Sequence, residues 1–361
     1  MNETSWKNAD RSKKRSNGLT NDIAISLARK LVGQPSAINA IVPYVQMHRA
    51  MLSPDGRPVG VFLLLGPTGT GKTKTVEALA EVLHGSAKKL LKVDCGEFQM
   101  EHEVAKLLGA PPGYLGHRET QPLLTQQKVN GASSEFCDLS LVLFDEIEKA
   151  APSVARLLLG ILDKATLRLG DNTMVNFEKT MIFLTSNLGA RDMHRELNPD
   201  FGFESLLPKK DGVIASKLEN IGALALRRMF SPEFLNRIDA VVTYRPLGQE
   251  ALAAILDQHV QDLQEHIDKR LGQNTFRLEV PSRTRRFLLD AGTSTEYGAR
   301  ELKRTLQRLL IQPLASLIAS GEIAAGSRIR ADLNQRKGKL SLREESAAEP
   351  PVESDSLAPA C

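Results

Sequence analysis

The stretch Gly66–Thr73, which reads GPTGTGKT, places glycines, a lysine and a hydroxyl residue at the spacing of a phosphate-binding loop. An apolar run precedes it and a helical pattern follows it, which is the context that this motif requires. Glycines let backbone N–H groups turn towards phosphate oxygens, and the start of a helix adds positive potential. We expect Lys72 to reach the β- and γ-phosphates of a nucleotide and Thr73 to offer its hydroxyl to Mg²⁺. The expected nucleotide contacts are Gly66, Pro67, Thr68, Gly69, Thr70, Gly71, Lys72 and Thr73.

Two adjacent acidic residues, Asp145 and Glu146, follow the apolar run Leu139–Phe144. In parallel sheets, phosphates lie at the edge where such strands end. We therefore expect Asp145 to face Mg²⁺ and Glu146 to polarise an attacking water as a general base. The alternative is a helix N-terminus, where acidic side chains are favourable for electrostatic reasons alone. A base next to a metal ligand indicates hydrolysis in addition to nucleotide binding.

The buried-strand pattern MIFLTSN ends with Asn187. A polar amide at the tip of a core strand, beside the expected γ-phosphate, would help to orient the attacking water. An ordinary turn residue at this position would have the same sequence pattern. Both interpretations stay open from the residues alone.

The elements that must hold these residues alternate along the chain. Nearly continuous apolar runs predict buried strands of a parallel sheet at Val59–Leu65, Leu90–Asp94, Leu139–Phe144, Thr180–Ser186 and Ala240–Tyr244. Amphipathic patterns between them predict helices, for example at Lys72–Gly85 and Ala151–Ala165. This alternation predicts an α/β fold in which helices flank a parallel sheet.

The composition is that of a globular protein, with 42% hydrophobic and 25% charged residues in a chain of 361. No apolar run approaches the roughly 20 residues that a membrane-spanning helix needs, so we expect no membrane partner. The first residues lack the apolar region of a signal peptide, and three scattered cysteines suit neither a disulfide framework nor a zinc site. A reducing, cytoplasmic location is the natural expectation.

The sequence pattern changes after Arg245–Gly248, where a long amphipathic helix begins that ends at Gly272. A strand-like segment, a helix to Ala291, a long helix from Ala299 to Ala319 and a final strand pair are expected to follow. The expected segments are a disordered basic tail at 1–18, a large domain at 19–246, a smaller α+β domain at 247–343 and a disordered acidic tail at 344–361.

Six stretches in one order along the chain carry a family resemblance. They read GPTGTGKT, GAPPGYLG, LFDEIEKA, TSNLGA, PEFLNRID and YGARELKR, and VGQ at Val32–Gln34 precedes them. Together they resemble the AAA+ ATPases and, more closely, the second ATPase module of the Clp/Hsp100 unfoldases, the ClpA/ClpB/ClpC group. The similarity runs from about Gly33 to Leu333. The resemblance implies ATP and Mg²⁺ as cofactors and an AAA+ P-loop domain followed by a small lid domain.

The resemblance also implies roles for residues outside the phosphate loop. Val32 and Gly33 would lie on the adenine side of the nucleotide, and Asn187 would be sensor 1. Arg237 would be an arginine finger inserted into a neighbouring subunit's site, and Arg300 would be sensor 2 in the small domain. Arginine suits these roles because its fork is rigid and permanently charged. For each arginine, a surface salt bridge is the alternative.

The Clp family forms hexameric rings that act on polypeptides, so the resemblance implies a homo-oligomer of this kind. In such a ring, Tyr114 and Leu115 would form the pore loop that grips an extended chain, because an aromatic ring offers large apolar contact without demanding a specific sequence. The alternative is a tyrosine packed beneath a surface loop. The family usually carries two ATPase modules and this sequence contains one, which leaves open whether a lone module disaggregates proteins.

Phe201, Gly202 and Phe203 follow sensor 1 where the protease-associated family members carry a short docking tripeptide for the ClpP peptidase. These residues would dock on such a partner or fold back onto their own domain. The leading hypothesis is therefore an ATP-driven unfoldase, with the ATPase subunit of a Clp-type protease as an alternative. A module that uses nucleotide only to switch its assembly is a third hypothesis. A nucleic-acid partner is not expected, because the chain lacks basic stripes interleaved with aromatic residues.

Overall fold

The computed structural model describes residues 22–109, 121–197, 211–293, 298–334 and 339–345. Its residues divide into two compact units, one up to Leu247 and one from Gly248 onward. The predicted pore-loop residues Tyr114 and Leu115 lie outside the described residues, as do Phe201, Gly202, Phe203 and the expected tail 1–18.

A five-stranded parallel sheet forms the centre of the first unit, in the order β2-β3-β6-β1-β7. Its strands are β1 (Gly60–Leu65), β2 (Leu91–Asp94), β3 (Ser140–Asp145), β6 (Thr180–Ser186) and β7 (Ala240–Thr243). All five predicted strands are present, and each boundary lies within one residue of the predicted one. Tyr244 follows β7, yet its N–H donates to Leu65 O and so continues the pairing with β1.

Alternate residues of β1 pack into two separate hydrophobic clusters, one on each face of the sheet. Val61, Leu63 and Leu65 point into the first cluster, while Phe62 and Leu64 point into the second. Because both faces are buried, the strands must be apolar at every position, which explains their continuous apolar sequences. The predicted α/β architecture is confirmed.

Helices cover both faces of this sheet. They are α1 (22–30), α2 (Pro35–Arg49), α3 (Lys72–His84), α4 (Ala105–Leu108), α5 (Gln126–Gly131), α6 (Pro152–Lys164), α7 (Ala190–Leu197), α8 (Asp211–Met229) and α9 (Pro232–Leu235). Short 3₁₀ turns lie at Cys95–Glu97, Glu101–Val104 and Ile147–Lys149. An antiparallel hairpin of β4 (Thr166–Arg168) and β5 (Met174–Asn176), which the apolar pattern does not reveal, lies between α6 and β6.

The second unit combines helices with a three-stranded sheet in the order β10-β9-β8. Its elements are α10 (Gln249–Leu271), β8 (Arg277–Glu279), α11 (Ser282–Gly292), α12 (Ala299–Leu306), α13 (Gln312–Ser320), β9 (Arg328–Asn334) and β10 (Lys339–Glu345). Strand β10 extends two residues into the stretch that the composition predicts to be an acidic tail, because Glu344 and Glu345 pair with Ile329 and Arg328.

The long helix predicted from Ala299 to Ala319 is present and has a local irregularity. It contains a π-helical segment at Gln307–Ile311 between α12 and α13. Pro313 lies two residues after this segment and has no backbone N–H, so it cannot donate to the carbonyl four residues earlier. The wider π-helical turn places Pro313 in the first turn of a new helical segment, α13, where a backbone N–H donor is not needed.

Within the described ranges, no helix is long and apolar enough to cross a membrane.

Candidate nucleotide-binding site

The phosphate loop Gly66–Thr73 connects β1 to α3, and its glycines adopt backbone angles that other residues avoid. The φ angles are 146° at Gly66, 76° at Gly69 and 102° at Gly71. A Cβ atom at Gly66 would lie 2.6 Å from Tyr244 O, so only glycine fits between the loop and the end of β7. The loop therefore has the conformation and the close packing that the glycine spacing predicts.

Lys72 begins α3, and its side chain is buried within the loop, with 7% of the residue exposed. Its Nζ donates to Gly66 O at 2.6 Å, to Pro67 O at 2.8 Å and to Asn187 Oδ1 at 2.9 Å. The ammonium group is thus held at the ends of two neighbouring strands, β1 and β6. A buried cation at this position can contact phosphate oxygens that enter the loop.

Oxygen donors suitable for Mg²⁺ meet beside the loop. Thr73 Oγ1 lies 3.2 Å from Asp145 Oδ1 and 3.4 Å from Oδ2, which joins the start of α3 to the end of β3. A hydroxyl and a carboxylate are the hard oxygen ligands that Mg²⁺ prefers, usually together with water and substrate phosphates. The residues present therefore fit the metal ion that the sequence predicts.

The Asp145 carboxylate is 17% exposed and has a donor on each of its oxygens. Oδ1 accepts a 2.5 Å hydrogen bond from Thr185 Oγ1, and Oδ2 lies 2.7 Å from Lys92 Nζ. Burial acts to raise the pKa of Asp145, but the Lys92 ammonium and the Thr185 hydroxyl together lower that pKa below its ordinary value. Asp145 is therefore held as a carboxylate, the form that binds a cation.

Glu146 follows Asp145 in a left-handed backbone conformation, with φ 57° and ψ 50°. Such a conformation is uncommon for a residue other than glycine and concentrates at functional sites. In this conformation the Glu146 N–H donates to Thr185 Oγ1 at 2.9 Å. The Glu146 side chain contacts different residues from those that contact the Asp145 carboxylate. Glu146 Oε2 lies 2.5 Å from Lys149 Nζ, an ion pair that raises the pKa of Lys149.

Asn187 links the two halves of the site. Its Oδ1 accepts from Lys72, while its Nδ2 lies 3.4 Å from Glu146 Oε1. Its backbone N–H donates to Glu148 Oε1 at 3.0 Å, which fixes the amide at the tip of β6. This placement between the lysine and the expected base favours the water-orienting interpretation over an ordinary turn.

Gln34 connects the predicted adenine-side segment to the phosphate loop. Its side chain is 2% exposed and donates to Thr70 O at 3.2 Å and to Arg245 O at 2.9 Å, while its Oε1 accepts from Arg245 N at 3.4 Å. Val32 and Gly33 lie in the turn directly before it. The segment is thus joined to the loop, although the base contact of Val32 and Gly33 remains a prediction.

The two predicted arginines lie in different units of the chain. Arg237 follows α9, and its Nε lies 2.8 Å from Asp163 Oδ1 near the end of α6. That N–H does not point at the carboxylate, so the contact is a close ion pair and not a hydrogen bond. Arg300 lies in the second unit, exposed in the first turn of α12. Their finger and sensor roles remain predictions.

Four polar residues of the site are not predicted by the sequence motifs. Thr185 contacts both acidic residues, Lys92 pairs with Asp145, Glu148 fixes Asn187, and Gln34 joins two loops. Thr185, Glu148 and Gln34 lie within the stretches TSNLGA, LFDEIEKA and VGQ, so their sequence neighbourhood is a usable signal. Lys92 is an exposed strand residue, and its sequence neighbours do not distinguish it from any other.

Comparison with known proteins agrees with this geometry. Residues 57–241 match the family model described as AAA domain (Cdc48 subfamily), and residues 247–331 match the model described as the C-terminal, D2-small domain of ClpB protein. The chaperone protein ClpB of Meiothermus ruber is 38% identical over 303 residues, which is 84% of this chain and 33% of the relative. The ATP-dependent Clp protease ATP-binding subunit ClpC of Staphylococcus aureus (strain USA300) is 34% identical over 322 residues, 89% of this chain and 37% of the relative.

Solved structures of Hsp104 share the fold. The complex of Saccharomyces cerevisiae Hsp104 with casein in an extended conformation superposes with a TM-score of 0.75 at 28% identity, over 91% of this chain and 53% of the other. The closed state of Hsp104 with ATPγS and FITC casein gives a TM-score of 0.73 at the same identity, over 91% and 52%.

The chain spans about a third of the length of the curated relatives it matches. Its matched region nevertheless includes the phosphate loop, the acidic pair and the small-domain segment in the order that the resemblance predicts. The chain therefore belongs to the AAA+ ATPases of the Clp/Hsp100 family, and it is similar to their second ATPase module with its C-terminal small domain.

Proposed function

We propose that this chain hydrolyses ATP as part of a homo-oligomeric ring, a hexamer as the resemblance implies, and uses the energy to unfold polypeptides by threading them through the central channel. The observation that supports hydrolysis is the meeting of Lys72, Thr73, Asp145, Glu146 and Asn187 at one edge of the sheet. The names of the relatives, a chaperone and the ATP-binding subunit of a protease, support the polypeptide substrate.

Each residue has a chemical task in the proposed reaction. Lys72 and the N–H groups of the phosphate loop bind the phosphates, while Thr73 and Asp145 hold Mg²⁺, which supplies charge neutralisation when bound. Glu146 Oε1 is the base oxygen that Lys149 does not contact, so we place the water proton there. Asn187 orients that water from its position beside the same oxygen.

The decisive experiment compares the wild type with Glu146→Gln, which keeps the shape of the side chain and removes its basicity. The variant should bind ATP and assemble, and its hydrolysis rate should fall by about 10²–10⁴-fold. Electron microscopy with a slowly hydrolysed ATP analogue would show whether a ring forms. If the wild type releases phosphate no faster than Glu146→Gln, the enzyme hypothesis fails and a nucleotide-switched assembly module remains.

The threading part of the proposal depends on Tyr114. Casein should stimulate the ATPase of the wild type, and Tyr114→Ala should keep its basal ATPase and lose the stimulation, because the polypeptide grip is separate from the hydrolytic residues. Equal stimulation of both proteins would contradict a threading role for this residue.

A second candidate is the ATPase subunit of a Clp-type protease, as the name of the S. aureus relative indicates for that protein. Phe201, Gly202 and Phe203 would then anchor the ring on a ClpP-type peptidase. Co-sedimentation with such a peptidase, lost in Phe203→Ala, would support this candidate, and binding retained by Phe203→Ala would exclude the loop.

A cytoplasmic location stays an expectation that rests on cysteine usage.

A further inference from the structure

Lys92 lies next to the proposed nucleotide site, although it belongs to none of the motifs. It occupies an exposed position of β2, whose residues alternate between buried and exposed. Strand β2 pairs in parallel with β3, with Lys92 opposite Leu143 and Asp94 opposite Asp145. The lysine side chain therefore extends two positions along the sheet towards the carboxyl edge, where its Nζ lies 2.7 Å from Asp145 Oδ2.

The hydrogen bonds of Asp145 show which of its oxygens is available to a metal ion. Oδ1 accepts the 2.5 Å hydrogen bond from Thr185 and lies 3.2 Å from Thr73 Oγ1. Oδ2 lies farther from that hydroxyl, at 3.4 Å, and its close contact is the Lys92 ammonium. The oxygen with the most remaining capacity for a cation is thus the one that Lys92 contacts.

We propose that Lys92 is a positioning residue that competes with Mg²⁺ for Asp145 Oδ2 and so sets the metal affinity of the site. This inference rests on the proposed function, since it concerns the same nucleotide site. A carboxylate that is 17% exposed is costly to leave unpaired, and Lys92 neutralises it when no metal is bound. Because the ammonium is half exposed on a flexible stem, a divalent ion can displace it.

The test measures metal affinity directly and does not depend on turnover. A fluorescent ADP analogue is titrated into the full chain, first with EDTA and then with Mg²⁺, and the ratio of the two dissociation constants gives the metal enhancement. Removal of the competing charge in Lys92→Met should increase this ratio by about two- to fivefold, the range for a partly exposed ion pair. The dissociation constant in EDTA should stay unchanged.

A control removes a lysine from an ion pair of similar length but greater exposure elsewhere in the same unit. Lys179 Nζ lies 2.8 Å from Asp138 Oδ2, and both residues precede their strands, at the opposite edge of the sheet from the phosphate loop. Lys179→Met should bind ADP like the wild type with and without Mg²⁺. Lys92→Arg retains the charge and should keep an enhancement close to that of the wild type.

The titration distinguishes a lysine that competes with the metal from a lysine that binds phosphate. An unchanged or smaller enhancement in Lys92→Met would overturn the proposal, and weaker binding in EDTA would indicate that the lysine contacts phosphate instead. If Lys92→Met does not fold, Lys92→Gln provides the same neutral test. A wild type that does not bind ADP under either condition would contradict the proposed nucleotide site itself, which is a different result from a failure at Lys92.

Discussion

Thr185 joins the two acidic residues of the site through one hydroxyl group. Its Oγ1 donates to Asp145 Oδ1 at 2.5 Å and accepts from Glu146 N at 2.9 Å, while the residue is 1% exposed. One side chain therefore contacts both the carboxylate that we propose as a metal ligand and the backbone of the residue that we propose as the base. The Thr185 hydroxyl thus contacts each of the two acidic residues at a different group, the carboxylate of Asp145 and the backbone N–H of Glu146.

We predict that Thr185→Val lowers both stability and ATP hydrolysis. The valine has a similar shape but leaves a buried N–H and a carboxylate without their partner, which costs about 1–3 kcal/mol of unfolding free energy. Loss of a group that orients a metal ligand should reduce turnover by about 10–100-fold. Urea unfolding and phosphate release would measure the two effects.

Thr185→Ser is the matched control for this prediction, because it keeps the hydroxyl and removes only a methyl group. It should retain most of the activity and stability. A Thr185→Ser variant as impaired as Thr185→Val would show that packing, and not hydrogen bonding, is what matters at this position.

His84 at the end of α3 predicts a pH dependence of stability. It is 7% exposed, with Nδ1 3.0 Å from Ser134 Oγ, and burial lowers its pKa from the ordinary value of 6.5, helped by the Lys89 charge. The unfolded chain therefore binds a proton more readily than the folded one. The contribution of His84 to stability is therefore fully present above pH 6.5 and is lost as the pH falls through that value towards the folded pKa.

The check compares melting temperatures of the wild type and His84→Gln. Between about pH 8 and about pH 5.5, the wild type should lose more stability than the variant, whose glutamine does not titrate in this range. If the melting temperatures of the two proteins change with pH in parallel, His84 is not the source of the pH dependence.

At the scale of elements, the turn from β1 into the phosphate loop is the tightest point of the site. Gly66 has φ 146°, and the space for a side chain is taken by Tyr244 O from the neighbouring strand end. Tyr244 is fully buried, and its hydroxyl lies 2.6 Å from Thr75 Oγ1 in the first turn of α3. Strand, loop and helix are thus packed against one fixed aromatic residue.

We predict that Gly66→Ala destabilises the protein by about 2–4 kcal/mol and abolishes nucleotide binding, since the loop must move away from Tyr244. Gly85→Ala is the control, because Gly85 also has a positive φ, 74°, but no atom lies within 4 Å of its Cβ position. The Gly85→Ala substitution should lower the free energy of unfolding by about 1 kcal/mol and leave nucleotide binding intact. Equal losses in the two variants would attribute the effect to backbone strain alone.

The sequence predicts helices, strands and loops whose residue pattern is local. It does not predict contacts between side chains that are far apart in the sequence. The sheet strands are recognisable because each is buried on both faces, and the phosphate loop because glycine spacing reports its backbone. The contacts of Lys92 with Asp145 and of Gln34 with Arg245 depend on strand order, which apolar runs do not encode. The hairpin of β4 and β5 escapes prediction because its strands are three residues each.

At the scale of the whole molecule, Arg237 is the residue that we propose to complete the nucleotide site of a neighbouring chain. Within its own chain it pairs with Asp163, on the helix that follows the acidic pair after one short turn. An arginine finger that acts in trans must exchange this partner for phosphate oxygens, and such a residue is worth about 10³–10⁵ in rate.

We predict that two inactive variants restore activity when mixed. Glu146→Gln lacks the base and Arg237→Ala lacks the finger, so neither should hydrolyse ATP alone. In rings mixed at random from equal amounts of the two variants, about a quarter of the sites combine an intact Glu146 with an intact neighbouring Arg237. Phosphate release should therefore recover to about a quarter of the wild-type rate. No recovery, despite mixed rings confirmed by native mass spectrometry, would place Arg237 in its own chain's site.

The bridge from Gln34 to Arg245 has a consequence for biosynthesis. The two residues are separated by 211 positions, and β1 pairs with β7 at residues 240–243. On the ribosome, the chain must therefore be translated past Arg245 before Gln34 and β7 can both hold the phosphate loop in place. Residues 66–73, which carry the phosphate-loop motif, are translated much earlier. Nucleotide would therefore stabilise this part of the molecule only after residue 245 has been translated.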